Sequence, residues 1–285
     1  MAAVALLGGC GTGDDTKATT SPEAGPTRAD SPRPSPSPTA SASPTPSPTA
    51  RSFVRGVYFL VDTRGGLRLV REMKDLAGED PGREAVETMI AGADDPDYAS
   101  PWNRATRVLG VTRTGNTITV DLSKEARTAN VGSQGAAMMI QQLVYTVTEA
   151  VDPDASVQLL VEGRSPGDLW GAVRWDKRVS RQDPLDVRVF VQIDSPREGT
   201  SASSPLVVKG DAAAFEANVP WRILDADGTE VKTGATMTAE GMTFSPYSFK
   251  VRLKPGTYTV EVVEDDPSGG EGGKPMTDTR TVTVR

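Results

Sequence analysis

Histidine is absent from the 285-residue chain, and cysteine occurs once, as Cys10. The first absence excludes a Ser-His-Asp or Cys-His catalytic site and any metal or haem held by histidine. The second excludes an intrachain disulfide, a cysteine-held zinc and an iron–sulfur cluster. Long hydrophobic runs are missing too. The apolar stretch at Met138–Ile140 is broken by Gln141 and Gln142, whereas a membrane-spanning helix needs about 20 apolar residues. The net charge of −7 offers no basic excess for a phosphate backbone, so no nucleic acid partner is expected.

Residues 11–52 lack every large apolar and aromatic side chain, and 25 of these 42 positions are Pro, Ser or Thr. Such a segment cannot bury enough apolar surface to offset chain entropy, and it reads as a disordered tether. Its Ser-Pro and Thr-Pro steps at 31–38 and 43–48 favour extended polyproline II, which at ~3.1 Å per residue gives a reach on the order of 130 Å. Residues 1–10 read as the remnant of a lipoprotein signal. Leu7-Gly8-Gly9-Cys10 resembles a lipobox, in which a Leu and two small residues admit a signal peptidase and the Cys thiol takes a diacylglycerol. Nine residues without a basic start are short for a whole signal, which points to a start codon placed too late. The expectation is acylation at Cys10 and anchoring on the outer face of the bacterial cytoplasmic membrane.

Two folded domains follow, over 53–175 and 186–285, with 176–185 as a charged, Pro-containing linker. In the first, Phe53–Asp62 and Leu67–Met73 read as strands about the turn Thr63-Arg64-Gly65-Gly66. A helix begins with Asp80 as cap and Pro81 at its first position, carries the stripe Ala85, Val86, Met89 and Ile90, and ends at Gly92. Arg107–Arg113 and Thr117–Leu122 form a hairpin. A longer helix runs from Ser133 to the helix-breaking Asp152-Pro153, and Val157–Val161 is a last strand. The order β-β-α-β-β-α-β gives an α+β domain with helices on one sheet face.

The second domain shows strand signals only. These are Val187–Val191, Leu206–Val208, the alternating Phe215, Ala217, Val219, Trp221 and Ile223, then Glu230–Thr236, Phe249–Leu253, Tyr258–Val262 and Thr281–Val284. About seven short strands in 100 residues describe an all-β immunoglobulin-like sandwich, here without its disulfide.

Val57-Tyr58-Phe59, Val120-Asp121-Leu122-Ser123 and the helix Gln142-Leu143-Val144-Tyr145-Thr146-Val147-Thr148 resemble the sporulation and spore-germination GerMN domain. Ile193-Asp194-Ser195-Pro196, Val208-Lys209-Gly210, Ala214-Phe215-Glu216-Ala217 and Leu224-Asp225-Ala226-Asp227-Gly228 resemble the immunoglobulin-like domain of bacterial spore germination, the Gmad family. The resemblance implies an extracytoplasmic, often lipoprotein-borne protein built for assembly or adhesion, with no catalytic residues. The Gly-rich stretch Ser268–Lys274 lengthens the usual final loop.

Isolated motifs add little chemistry. Lys232-Thr233-Gly234 matches one motif of penicillin-binding enzymes, but the accompanying Ser-x-x-Lys is absent. Asp225-x-Asp227-Gly228 starts like a calcium loop but lacks the Glu at EF-hand spacing, and reads as a hairpin turn. Asp94, Asp95 and Asp97 read as a solvated loop rather than as hydrolase carboxylates. Trp221 reads as core, and Trp170 and Trp175 as packing at the domain junction or as a binding surface. The expectation is a non-enzymatic protein without cofactor, metal or catalytic residue. Its partners would be the membrane, through the lipid, and one or more envelope proteins. A peptidoglycan-binding module is the alternative, and a wall hydrolase the more remote one.

Overall fold

The computed structural model describes residues 52–269 and 271–285; Cys10 and all of the tether read from the sequence except Ser52 lie outside them. The apolar run at 57–60 is buried throughout, as a strand covered on both faces requires. It lies in an antiparallel hairpin of β1 (Phe53–Thr63) and β2 (Gly66–Leu76). Val57 and Phe59 face the main core of the first domain, while Tyr58 and Leu60 pack with Leu69, Met138 and Tyr145 on the other side. The turn closes on Gly66 at φ 88°, and Thr63 Oγ1 donates to the Gly66 carbonyl at 2.8 Å.

Helix α1 (Pro81–Ala91) starts where its cap was expected: Asp80 accepts from the Arg83 N–H at 3.0 Å, and Pro81 needs no donor partner. Its buried face is Ala85, Val86, Met89 and Ile90. Strands β3 (Val108–Thr114) and β4 (Thr117–Leu122) form the second hairpin. Helix α2 (Ser133–Val151) then carries the chain to β5 (Ser156–Val161), which pairs parallel with β4. The order read from the sequence is therefore present, with the strands divided between the β1–β2 ribbon and the sheet β3-β4-β5. A small hairpin, β6 (Gly167–Leu169) and β7 (Val173–Trp175), follows.

Residues 176–185 are pinned against β5 and α2. Val179 exchanges backbone hydrogen bonds with Val157 at 2.7 and 2.9 Å, the Gln182 N–H donates to Gln141 Oε1 at 3.0 Å, and Tyr145 Oη donates to the Gln182 carbonyl at 2.6 Å. The strand expected at Val187–Val191 begins only at Val191. Asp183 and Pro184 cap and start one helical turn, α3 (Pro184–Val187), before it.

The second domain comprises β8 (Val191–Ser195), β9 (Thr200–Ala202), β10 (Leu206–Ala212), β11 (Asn218–Asp225), β12 (Glu230–Met237), β13 (Ser245–Val251), β14 (Gly256–Val263) and β15 (Thr277–Val284). They form the sheets β13-β10-β8 and β12-β11-β14-β15-β9, packed face to face around Val208, Val219, Ile223, Val260, Val262 and Val282. Trp221 packs against this core as expected, stacked on Phe249 with centroids 4.5 Å apart. Phe215 departs from the alternation. It sits in a 3-10 turn at 215–217 and is 40% exposed, because Glu216 and Ala217 adopt φ of 50° and 61° and no longer extend the strand.

Candidate functional site: a charged seam between the domains

Helix α2 puts two polar residues where an amphipathic helix would place apolar ones: Gln142 and Thr146 are both fully buried. Each completes the free edge of β1. Thr146 Oγ1 accepts from the Tyr58 N–H at 3.1 Å, and Gln142 Nε2 donates to the Tyr58 carbonyl at 3.0 Å. Two strand positions along, Leu60 exchanges both backbone bonds with Ala99 at 2.8 Å. Helix side chains and a loop thus satisfy backbone groups that a neighbouring strand would otherwise take. The Asp-Leu-Ser motif works in the same way at the end of β4. Asp121 accepts from the Gly163 N–H at 3.0 Å and Ser123 Oγ from the Arg107 N–H at 2.9 Å. Both motifs that suggested a family are therefore structural ties.

Several charged residues of the β1–β2 hairpin reach residues beyond the first domain. At its turn Arg64 donates to Glu264 at 2.9 Å and to the Gly273 carbonyl at 3.4 Å, so the long Gly-rich loop embraces the hairpin tip. Arg68 donates to the Leu185 carbonyl at 2.7 Å. Arg71 forms a two-pronged pair with Asp194, at 2.9 and 2.7 Å, and approaches Asp211 at 3.4 Å. Asp211 is held in turn by Arg188, which is 5% exposed. Arg197 pairs with Asp75 at the hairpin's open end. Fork-to-fork geometry of this kind fixes orientation as well as distance.

The loop Ala93–Arg104 corrects the sequence reading of a solvated acidic loop. Asp94 is exposed and Asp97 reaches Thr279, but Asp95 is 3% exposed and enters the open end of the sandwich. There it meets Arg280 at 2.9 Å. Arg280 also binds Asp278 at 2.8 Å and the Ile193 carbonyl at 3.0 Å. Tyr98 Oη donates to Asp278, and the Arg280 guanidinium lies 5.2 Å from the Tyr98 ring. Two buried carboxylates thus share one buried guanidinium. Loss of water pushes the Asp95 carboxyl up to about 6, against the opposing pull of the Asp97 N–H and Arg280. Burial likewise raises Asp278, with Arg280 and the Tyr98 hydroxyl opposing. Asp278 and Arg280 occupy the inward phase of β15 with Val282 and Val284; charges on an inward phase are the signal by which the sequence could have betrayed this site.

Trp170 and Trp175 belong to neither an exposed surface nor the seam. Trp175 is buried in the first domain's core, and Trp170 packs edge-on against Trp102 at 5.4 Å and donates to the Ala126 carbonyl at 2.9 Å. Asp225 makes a turn, as read: its Oδ1 accepts from the N–H groups of Asp227 and Thr229 at 3.0 and 2.9 Å. Among the described residues, no three His, Cys, Asp or Glu side chains gather as a metal site, and no helix is long and apolar enough to cross a membrane.

The fold and seam define a two-domain protein whose α+β module is locked onto an immunoglobulin-like sandwich by buried ion pairs. Residues 56–166 match the family model described as sporulation and spore germination, and residues 190–271 match the immunoglobulin-like domain of bacterial spore germination. The chain therefore joins a GerMN domain to a Gmad2 domain. Neither is a known enzyme family. Among solved structures, the tandem GerMN domains of the sporulation protein GerM from Bacillus subtilis are 20% identical, with 50% of each chain covered and a TM-score of 0.40. The chain thus spans half the length of that tandem. The first GerMN domain of the same protein is 19% identical, covering 46% of this chain and 99% of that one at a TM-score of 0.38. CopC from Methylosinus trichosporium is 22% identical over 33% of this chain and 92% of that one, with a TM-score of 0.26. Comparison with curated proteins finds no match.

Proposed function

We propose that this protein is a non-enzymatic accessory or scaffold protein of a bacterial cell-envelope complex, anchored on the outer face of the cytoplasmic membrane through a lipid on Cys10. The observation that carries this reading is the use made of its charged residues. The buried cation Arg280 and the half-buried Arg71 are spent on carboxylates of the other domain, and Arg188 holds Asp211 in place beside Arg71. A protein that presents binding surfaces at a fixed separation needs such a lock. An enzyme would instead direct buried charge into a cleft. The tether would place this rigid unit away from the bilayer, within reach of other envelope proteins.

Crosslinking in living cells, followed by mass spectrometry of what co-purifies, tests the reading. Recovery of a specific envelope protein, lost when either folded domain is deleted, supports it. Recovery of glycan strands with no protein partner assigns the protein to wall binding instead. Release of muropeptides from purified wall would make it a hydrolase. A Cys10→Ser variant that stays in the membrane fraction would refute the anchor.

A further inference from the structure

Two surfaces of the Gmad2 domain stay exposed, one away from the seam and one at its edge. The first is a tip formed by residues 214–217 and 237–243. Phe215, Met237 and Met242 are 40%, 66% and 44% exposed there. The tip is one assembly: the Met242 N–H donates to the Ala214 carbonyl at 3.0 Å and the Thr238 N–H to the Ala217 carbonyl at 2.9 Å, and Met237 lies opposite Asn218. Its backbone is strained, with φ of 50°, 61° and 52° at Glu216, Ala217 and Met242. Non-glycine residues held in this region persist only where the surroundings enforce them, and they cluster at functional surfaces. Glu216 and Glu240 are exposed beside the apolar side chains and make no ion pair among the described residues.

The second surface is the outer face of the sheet β13-β10-β8. Lys209 stands opposite Ser248, and Lys250 opposite Val207. Both lysines are exposed and neither makes an ion pair among the described residues, although the chain as a whole is acidic at −7. The carboxylates of this face, Asp194 and Asp211, are already held by Arg71 and Arg188. Beside Lys209, where this face meets the β1–β2 hairpin, opens a cleft of about 600 Å³ lined by Val54, Met73 and Pro246, with Asp194 and Arg197, both already paired, at its edge.

The tip and the cleft are complementary in charge and in apolar character. They are also neighbours: Met242 in the tip is bonded to Ala214, and Pro246 in the cleft stands opposite Asp211, three residues before Ala214 on the same segment. One patch holding both halves of a complementary pair is what a two-fold interface requires, because each copy gives its tip to the other's cleft. We propose that the protein pairs with a second copy of itself through this patch. Phe215 and Met242 of each copy seat in the other's cleft, and Glu216 and Glu240 face the other copy's exposed lysines. Methionine suits such a contact because its unbranched side chain adapts to the surface it meets. The pairing does not depend on the scaffold reading, which concerns other envelope proteins.

Sedimentation of the full chain over a dilution series tests the pairing. The expected result is a concentration-dependent monomer–dimer equilibrium. The double variant Lys209→Glu/Lys250→Glu should weaken it by at least about tenfold, and so should Glu216→Lys/Glu240→Lys. Mixing the two variants should restore it, because both contacts of the mixed dimer regain opposite charges. That recovery also excludes misfolding as the reason for the losses. A chain that stays monomeric at every concentration overturns the proposal, as does a dimer that both variants leave unchanged. Binding of the monomeric chain to phosphatidylcholine vesicles, lost in Phe215→Ser, would assign the tip to a lipid surface and overturn it equally.

Discussion

At the residue scale, Arg280 is the side chain on which most depends. It is 2% exposed and balances two carboxylates, Asp95 from one domain and Asp278 from the other. Removing one member of a buried ionic group costs about 3–5 kcal/mol, because the remaining charges keep their desolvation penalty. Arg280→Ala should therefore lower the free energy of unfolding by about that amount in a denaturant titration. Asp95 sets a pH dependence of defined sign. Its carboxyl is raised from 3.8 to about 6 in the folded protein. The folded state binds the proton more tightly, so the contribution is fully present below the unfolded value and disappears as pH rises through the folded one. Between pH 4 and 7 this group alone should remove about 2 kcal/mol of stability. In Asp95→Asn that falling component should vanish, and a series of unfolding curves across this range would show it as a flatter profile. A variant profile parallel to the wild type would contradict the assignment.

At the scale of elements, two replacements separate pattern from geometry. Thr146→Val keeps the volume of α2 but leaves the Tyr58 N–H buried without its 3.1 Å partner. The expected cost is about 1–3 kcal/mol, measured by chemical denaturation. Gly210→Ala would set a Cβ 1.9 Å from the Gln192 carbonyl oxygen and 2.6 Å from Tyr247 Oη. Since one obstacle is backbone, β10 and β8 must separate, and a loss of about 1–3 kcal/mol is expected, read as a lowered melting temperature. The elements themselves were legible in the sequence to unequal degrees. Both ends of α1 were readable because Asp80, Pro81 and Gly92 act on their own immediate backbone. The turn at Asp225 was readable for the same reason. The strand expected at 187–191 failed because Asp183-Pro184 imposed a helical turn upstream. Phe215 failed because its alternation ran through two residues whose backbone leaves the extended region. Periodicity tells which residues could share a face, but not where a local turn interrupts it.

At the scale of the whole molecule, the two domains pack into one compact unit. Val189 and Met276 join the core of the GerMN domain, and the Val189 N–H donates to the Leu69 carbonyl at 2.9 Å. Unfolding should accordingly be a single cooperative transition in calorimetry. The double variant Arg71→Ala/Arg188→Ala removes the cations that hold Asp194 and Asp211. It should split the transition in two, the outcome expected when a domain interface is weakened while each core persists. A single transition in the variant would mean that apolar packing alone couples the domains.

What the sequence by itself determined is what rests on neighbouring residues and on composition. The absence of histidine excluded whole classes of catalysis, and the apolar periodicities and caps defined an α+β domain followed by a β-sandwich. The two motif sets were sufficient to indicate the families that residues 56–166 and 190–271 match. What only the tertiary structure decided is the relation between the domains. Asp95 and Arg280 stand 185 positions apart, and nothing local to either shows that it is buried. An acidic loop looks solvated until a second domain closes over it. Whether a charge faces water or a partner depends on which surfaces meet, and that is settled by packing across the whole chain.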